Sequence, residues 1–498
     1  MAELRPFPPG DYPCIVVGSG PGGLQTSYSL SRLGVRHAVL SADDAPGGMF
    51  RRYPLFQRLI SWTKPYAPAE PGTRAYEWYD WNSLLGAEPE HSSLVRQFMD
   101  GSSYFPARSE MEAGLVEFSR RGGVEVRYGC RWESTDASDN GFTVGTSDGE
   151  YTCRVLVMAI GTTTPWKPAT PGLEQVPHYC DTKPLAEYRD KTVFIVGKRN
   201  SGFELADALL PVARRIILGS PRPARISVVE HAAVGARARY LQPYEDAVFG
   251  GGNVLLDAAI SRVERISSGY RITAAGTTRP GEMVLEVDEA IAATGFKTPL
   301  LDLPKLGVAV FSEGRLPAMS SLWGSVSVPG LYFAGSVTQA APGLNKYGIP
   351  SNSAAVQGYR YNARVMAEHI ATSHFGIPRR ERPVAPDSLV SHLLAEATRA
   401  PELWNQRSYL ASVVETTDRG LVDAGIQPLA WFVDAPGPDA IAVAVETDAS
   451  GDIHPALYLR LGGAVTEHLL ESEPLHRFET PDHRRRVEEV AGPLIGQS

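Results

Sequence analysis

The chain has four cysteines in 498 residues, Cys14, Cys130, Cys153 and Cys180, and no two of them form a C-x-x-C pair. That scarcity counts against a disulfide-dense scaffold and against a dithiol centre of the kind some flavoreductases use. Cys14 and Cys153 fall in apolar runs that read as strands, where a thiol is a small core residue. Eleven histidines never take a ligand spacing such as H-E-x-x-H, so metal chemistry finds no support. No hydrolase elbow stands between a strand and a helix. Cations are outnumbered, 48 Lys and Arg against 56 Asp and Glu, and the net charge of -8 is the wrong sign for a nucleic-acid footprint. No run approaches the ~20 apolar residues that span a bilayer, and the first nine residues lack the apolar heart of a secretory leader. The expectation is a cytoplasmic protein with neither membrane nor nucleic acid as partner. Hydrophobic residues at 43% supply ample core, and the length suggests about three domains.

What is present begins at Cys14-Ile15-Val16-Val17, an apolar run entering Gly18-Ser19-Gly20-Pro21-Gly22-Gly23, with Leu24, Tyr28, Leu30 and Leu33 recurring at helical spacing as far as Gly34. Strand, glycine turn and helix in that order are a dinucleotide fingerprint. Gly18 makes the turn, Gly20 leaves no Cβ between backbone and pyrophosphate, and Gly23 lets helix and strand approach. Phosphate charge then sits at a helix N-terminus. The second strand, His37–Leu40, ends at Ser41, where an acidic residue about 20 residues on usually meets the ribose hydroxyls; Asp43 and Asp44 follow it. Gly47-Gly48-Met49 then lets backbone approach a flat ligand, or is a simple turn. Residues 67–103, with Tyr76, Trp78, Tyr79, Trp81 and Asn82, read as a long excursion of the kind that covers sites.

A helical stretch from Tyr104 with Met111, Leu115, Val116 and Phe118 on one face, and strands at Val124–Tyr128, Phe142–Gly145 and Val155–Ile160, lead to Gly161. The theme then repeats. Thr192–Val196 enters Gly197-Lys198-Arg199-Asn200-Ser201-Gly202, followed by a helix Phe203–Val212 and a strand Arg215–Leu218. Arg199 stands where the close-approach glycine belongs; its Cβ crowds a pyrophosphate, while its guanidinium can grip phosphate bidentately. Ser220, Arg222 and Arg225 suit a ribose 2′-phosphate, hence NADPH, or form an exposed basic edge. Ala290–Phe296 echoes the Gly161 turn, and the two read as the passages joining an inserted domain to its host. The host resumes at Gly330–Ser336 and a helix Ser353–Ala371. Beyond about Pro378 come a mostly helical stretch, a strand Ala430–Val433, and a hairpin of Ala440–Glu446 and Ala456–Leu461 around a polar turn.

Two fingerprints, the Gly-Gly turn and the Ala293-Thr294-Gly295 turn resemble the two-dinucleotide-domain flavoproteins, with FAD in the first site and NAD(P)H in the second. Within them the chain is similar to the flavin-containing and N-hydroxylating monooxygenases, and more so to the FAD-dependent oxidoreductase domain proteins of the ER flavoprotein type. The resemblance runs through Arg52-Tyr53-Pro54, Leu59-Ile60-Ser61, Asp80-Trp81-Asn82-Ser83, Asn200-Ser201, Gly358–Arg364 and His454–Tyr458, nearly the whole chain. It implies an α/β architecture: an FAD-binding Rossmann-like domain over 1–165 and 286–377, an inserted NAD(P)-binding Rossmann-like domain over 166–285, and a C-terminal α+β extension over 378–498 for packing, a lid or a homodimer contact. It also implies FAD held by Gly18, Ser19, Gly20, Pro21, Gly22, Gly23, Ser41, Gly48, Met49, Gly161, Gly335 and Ser336, with Trp132 beside the adenine, and NADPH held by Gly197, Arg199, Asn200, Ser201, Gly202, Ser220 and Arg222. Ser336 replaces an Asp that many relatives carry, and of the hydroxylating families' spacer motif only Pro171-Gly172 and His178 remain.

For the flavin face, the candidates are Lys64, Trp81, Asn82 and Tyr347, each of which packing or a solvated loop explains equally well. The implied reaction is NADPH-dependent oxygenation of a small or carrier-bound metabolite by molecular oxygen through a flavin hydroperoxide, the cofactor carrying the hard step. The alternatives are a flavin oxidase or dehydrogenase with a vestigial second site, and a non-catalytic flavoprotein binding module.

Overall fold

The computed structural model describes residues 5–56, 58–227 and 235–496. The chain divides into two compact units. One comprises Met1–Arg51, Ser61–Thr162 and Thr298–Ser498, the other Arg52–Ile60 and Thr163–Lys297.

In the first unit, strand Asp11–Val17 lies between His37–Leu40 and Gly149–Met158, parallel to both. The late strand Leu331–Phe333 joins the far side of Gly149–Met158, also parallel, with Leu331 opposite Leu156. An antiparallel meander, Trp132–Ser138 and Gly141–Thr146, completes the sheet. Cys14, Ile15 and Val16 are fully buried, as a strand covered on both faces requires. Helix Pro21–Arg32 buries ten of its twelve residues, and each apolar side chain such as Leu24 or Leu30 contributes roughly 1.5–3 kcal/mol by leaving water. Val124–Tyr128 forms no strand; only a single bridge joins Arg127 to Leu40. The helix expected from Tyr104 starts at Arg108, after Pro106.

Residues 378–498 fall within this same unit. Their six-stranded antiparallel sheet runs from Arg382–Pro383 through Gly420–Pro428, Leu410–Thr417, Ala440–Thr447 and Ile453–Leu461 to Ala464–Leu469. The expected hairpin is there, as Ala440–Thr447 against Ile453–Leu461. Two expectations fail. The stretch before it is helical only over Leu389–Arg399 and Pro401–Asn405, then turns to two strands. Ala430–Val433 is not a strand but part of a helix, Leu429–Asp434, burying Leu429, Ala430 and Phe432; Pro428 closes the preceding strand and sits at the helix N-cap, and periodicity cannot separate helix from strand in so short an apolar run.

The second unit is built on Thr192–Val196, parallel to Arg215–Ser220 on one side and Glu289–Ala292 on the other. Val254–Ile266 extends the sheet, parallel to Arg215–Ser220, and folds back into the meander Gly269–Gly276 and Glu282–Val287. Two differences from the sequence-based bounds have a physical reason. Tyr53, Leu55, Phe56 and Ile60 pack on this unit's core, and the backbone amides of Leu55 and Phe56 donate to Tyr179 and Glu204, so Arg52–Ile60 belongs here. The chain leaves at Lys297, after the Glu289–Ala292 strand, instead of before it.

Candidate functional site

The glycines of the first fingerprint are fixed by their neighbours. Gly18 has φ of +116°, and a Cβ there would run into the Ala159 carbonyl; a Cβ on Gly23 would strike the Gly18 carbonyl. At Gly22 a Cβ would lie 2.5 Å from the Gly335 nitrogen, and at Gly48 it would lie 2.8 Å from Gly20 Cα. Gly20 differs: around its missing Cβ the nearest atom is Gly48 Cα at 3.8 Å. Three segments distant in sequence thus converge at backbone contact and leave the Gly20 side open. The helix beginning at Pro21 has no side-chain cap and no acidic residue in its first turn, which leaves its N-terminal field for an anion.

Ser41 is buried, and its hydroxyl meets that of Ser19 at 2.8 Å while accepting from the Asp43 amide. It holds the fingerprint turn from below. Asp44 pairs with Arg51, in the turn of 3-10 helix that carries Gly48 and Met49. Ser336 accepts from the Thr162 amide beside Gly161 at 3.3 Å. Trp132 is buried, its Nε1 donating to Thr135 Oγ1 at 2.8 Å, so only the ring is left for an adenine.

Of the flavin-face candidates, three come together. Lys64 Nζ lies 4.5 Å from the Trp62 ring and 5.3 Å from that of Tyr79, and Trp62 meets Trp81 edge to face at 5.4 Å. No carboxylate pairs with Lys64 among the described residues; aromatic faces offset its charge instead. Trp62 Nε1 is buried without a hydrogen bond. Asn82 is fully engaged: Oδ1 accepts from Ser61, and Nδ2 donates to the Ser61 carbonyl and Thr63 Oγ1. It shapes the turn. That turn docks on the first fingerprint helix, where Gln25 exchanges two bonds with the Leu85 backbone. Tyr347 shares no contact with this group; it is 37% exposed, on the loop after Ala341.

The second fingerprint repeats the first at its packing points. Gly197, φ +126°, could take no Cβ because of the Ala293 carbonyl, and Gly202 none because of the Gly197 carbonyl. Arg199 is the extended residue before helix Asn200–Leu209, with its side chain exposed. Lys198 turns away, buried, to Asp257 and the Leu256 carbonyl. Asn200 Oδ1 accepts from the Arg237 amide at 2.9 Å, while Ser201 continues the helix. Ser220 bonds the Arg222 carbonyl, leaving the Arg222 side chain exposed. Arg237 was missed in the sequence. It makes no ion pair among the described residues, and burial lowers its pKa; an arginine 40 residues after the fingerprint carries no motif, so only the fold brings it to Asn200.

Two nucleotide folds, each closed on its own glycine turn, define a two-dinucleotide-domain flavoprotein. Residues 15–335 match the pyridine nucleotide-disulphide oxidoreductase family, and the chain belongs to it. It is similar to FAD-dependent oxidoreductase domain-containing protein 2 of Danio rerio, 35% identical over 233 residues that cover 45% of this chain and 33% of that protein. It is also similar to the Mus musculus protein of that name, 27% identical over 438 residues, 80% of this chain and 64% of that one. The chain thus spans between a third and just under two thirds of these relatives' length. Among solved structures, the flavin-containing monooxygenase of Stenotrophomonas maltophilia superposes with a TM-score of 0.55 at 20% identity, over 73% of this chain and 99% of that one. The bacillithiol disulfide reductase of Staphylococcus aureus gives 0.55 at 16%, over 73% and 99%. At these identities the likeness is one of fold. Among the described residues no helix is long and apolar enough to cross a membrane.

Proposed function

We propose that the chain is an NADPH-consuming flavin monooxygenase acting on a small or carrier-bound metabolite, with molecular oxygen as co-substrate. The observation that carries this reading is the second fold: Gly197 and Gly202 keep the backbone packing of Gly18 and Gly23, in a chain whose four scattered cysteines offer no C-x-x-C pair to receive electrons. Bound FAD would supply the hydride-accepting and oxygen-reducing chemistry that these residues do not themselves carry.

The chain's residues divide the remaining work. Gly18–Gly23, with Gly48 and Met49, would receive the pyrophosphate on the open side of Gly20; Gly161, Gly335 and Ser336 would receive the rest of the chain of the cofactor. Arg199 and Arg237 would hold the phosphates of the second nucleotide, and Arg222 its 2′-phosphate. The Trp62, Tyr79 and Trp81 rings would exclude water around the Lys64 cation. Arg199 in the close-approach position supports a second reading, an oxidase or dehydrogenase reduced by its substrate, or a binding module.

Oxygen-electrode measurement separates them. NADPH-dependent uptake of one oxygen molecule per NADPH, with catalase returning half of it when no substrate is present, is expected. Absence of NADPH-dependent uptake by FAD-loaded protein would contradict the proposal.

A further inference from the structure

A cavity of about 470 Å3 lies within the first unit, and neither fingerprint accounts for it. Its walls include Phe311, Met319, Ile349 and Pro350, with Arg407 and Tyr409 among them. The size is that of a small-molecule site. Gln339 also lines it, and donates to the Ser336 carbonyl at 2.9 Å; the cavity therefore abuts the turn assigned above to the first cofactor.

Arg407 follows helix Pro401–Asn405 and precedes strand Leu410–Thr417. It is partly buried and has neither an ion pair nor a side-chain hydrogen bond among the described residues. Burial lowers its pKa, and no neighbouring carboxylate offsets this. Other buried guanidinium groups of this unit are compensated: Arg364 by Glu402, Arg360 by the Ser83 carbonyl and Tyr361. Tyr409 is 3% exposed, and its hydroxyl has no hydrogen bond, with the Trp323 indole N–H nearby but not in bonding geometry.

The backbone around the cavity is also held in a costly conformation. Asn345 and Ser408, both lining residues, have φ of 49° and 58°. Residues other than glycine keep the left-handed region only where surrounding structure imposes it, often at ligand clamps. Ser408 is imposed by its amide bond to the Val445 carbonyl at 2.8 Å. Gly343 presses on the Tyr409 ring, where a Cβ would come 2.8 Å from Cδ2.

We infer that this cavity binds a small amphiphilic ligand through one oxyanionic group, a carboxylate or a phosphate, which pairs with Arg407 and accepts from the Tyr409 hydroxyl while its apolar body lies against Met319, Phe311 and Ile349. As the substrate class of the proposed oxygenation it rests on that reading, but the binding itself does not depend on it. A guanidinium is suited to either oxyanion because its paired N–H groups match both geometries.

Equilibrium binding to the full FAD-loaded chain, by calorimetry without NADPH, tests it. The probes are hexanoate, its uncharged analogue hexanamide, and inorganic phosphate. Hexanoate or phosphate should bind, hexanamide at least tenfold more weakly than hexanoate. Arg407→Gln should weaken the bound anion at least tenfold, and Tyr409→Phe severalfold, with flavin content unchanged. Hexanoate binding marks a carboxylate site, and phosphate binding alone a phosphate-ester site. Should Arg407→Gln not fold, the hexanoate–hexanamide contrast and Tyr409→Phe still decide. Equal binding of hexanoate and hexanamide, or no binding by either anion, overturns the inference; failure of the oxygenation reading alone would leave these isotherms unchanged.

Discussion

Gly22 and Gly335, more than 300 residues apart, meet so closely that a Cβ on the first would lie 2.5 Å from the nitrogen of the second. Gly20, two residues earlier, has room for a Cβ, with the Gly48 Cα 3.8 Å away in ordinary contact. The two positions should therefore separate folding from cofactor binding. Gly22→Val should destabilise the unit by about 1–3 kcal/mol through overpacking and lose flavin. Gly20→Val should leave the melting temperature of flavin-free protein unchanged while abolishing flavin absorbance in the purified chain. Retention of flavin by Gly20→Val would contradict the placement of the pyrophosphate there.

That first turn was legible because its chemistry is local: strand, glycines and helix lie in one stretch, and each glycine answers a specific backbone neighbour. The repeat at Gly197 was legible for the same reason. Arg237, Arg407 and Tyr409 were not, since nothing in the residues around them marks a site; the roles proposed for them rest on a cavity or a loop that only tertiary structure assembles. The meander Val254–Val287 was missed although Val263, Tyr270, Ile272 and Ala274 alternate inward, because a long linker to the Ala290 strand drew no strand assignment. Asn82 is a candidate for the flavin face by sequence, with packing an equal explanation; its amide is used within the turn, a competition among close polar groups that spacing does not reveal.

The two arginines near the second fingerprint should act differently. Arg222→Ala should raise KM for NADPH about tenfold, the loss of one charge-assisted phosphate contact, and leave KM for NADH unchanged. Arg237→Ala should raise both. Steady-state kinetics with each nucleotide checks this, and equal effects of Arg222→Ala on both would remove the 2′-phosphate assignment.

Glu402, 2% exposed, receives Arg364 at 2.6 Å and Arg74 at 2.9 Å, linking the helix Val356–Phe375, the 67–103 excursion and the C-terminal residues. Burial pushes its carboxyl up, but Arg364 and Arg74 outweigh this and hold it below the usual carboxylate range. A depressed carboxylate stabilises the fold above its unfolded pKa, about 4.3, and that contribution is lost as pH falls through the folded value. Glu402→Gln should cost about 1–3 kcal/mol at neutral pH, because Arg364 loses its carboxylate while Arg74 keeps Glu396, with the difference from wild type shrinking in acid. Melting temperature against pH reads both.

His369 is pushed down to about 4 by burial, with the charge of His374 adding to it. Its neutral form is favoured in the fold, so its contribution is complete above the unfolded value near 6.5 and is lost as pH falls toward 4. His369→Gln should flatten the stability profile across that window. An unchanged slope between pH 6.5 and 4 would show that the imidazole is solvated in solution.

The central claim is that the second fold delivers reducing equivalents to a flavin in the first. Rapid mixing of FAD-loaded protein with NADPH in the absence of oxygen, followed by oxygenated buffer, tests it most directly. Bleaching of the flavin absorbance by NADPH and its return with oxygen are the predicted result. Flavin that stays oxidised under excess NADPH and NADH, with both fingerprints intact, would contradict it.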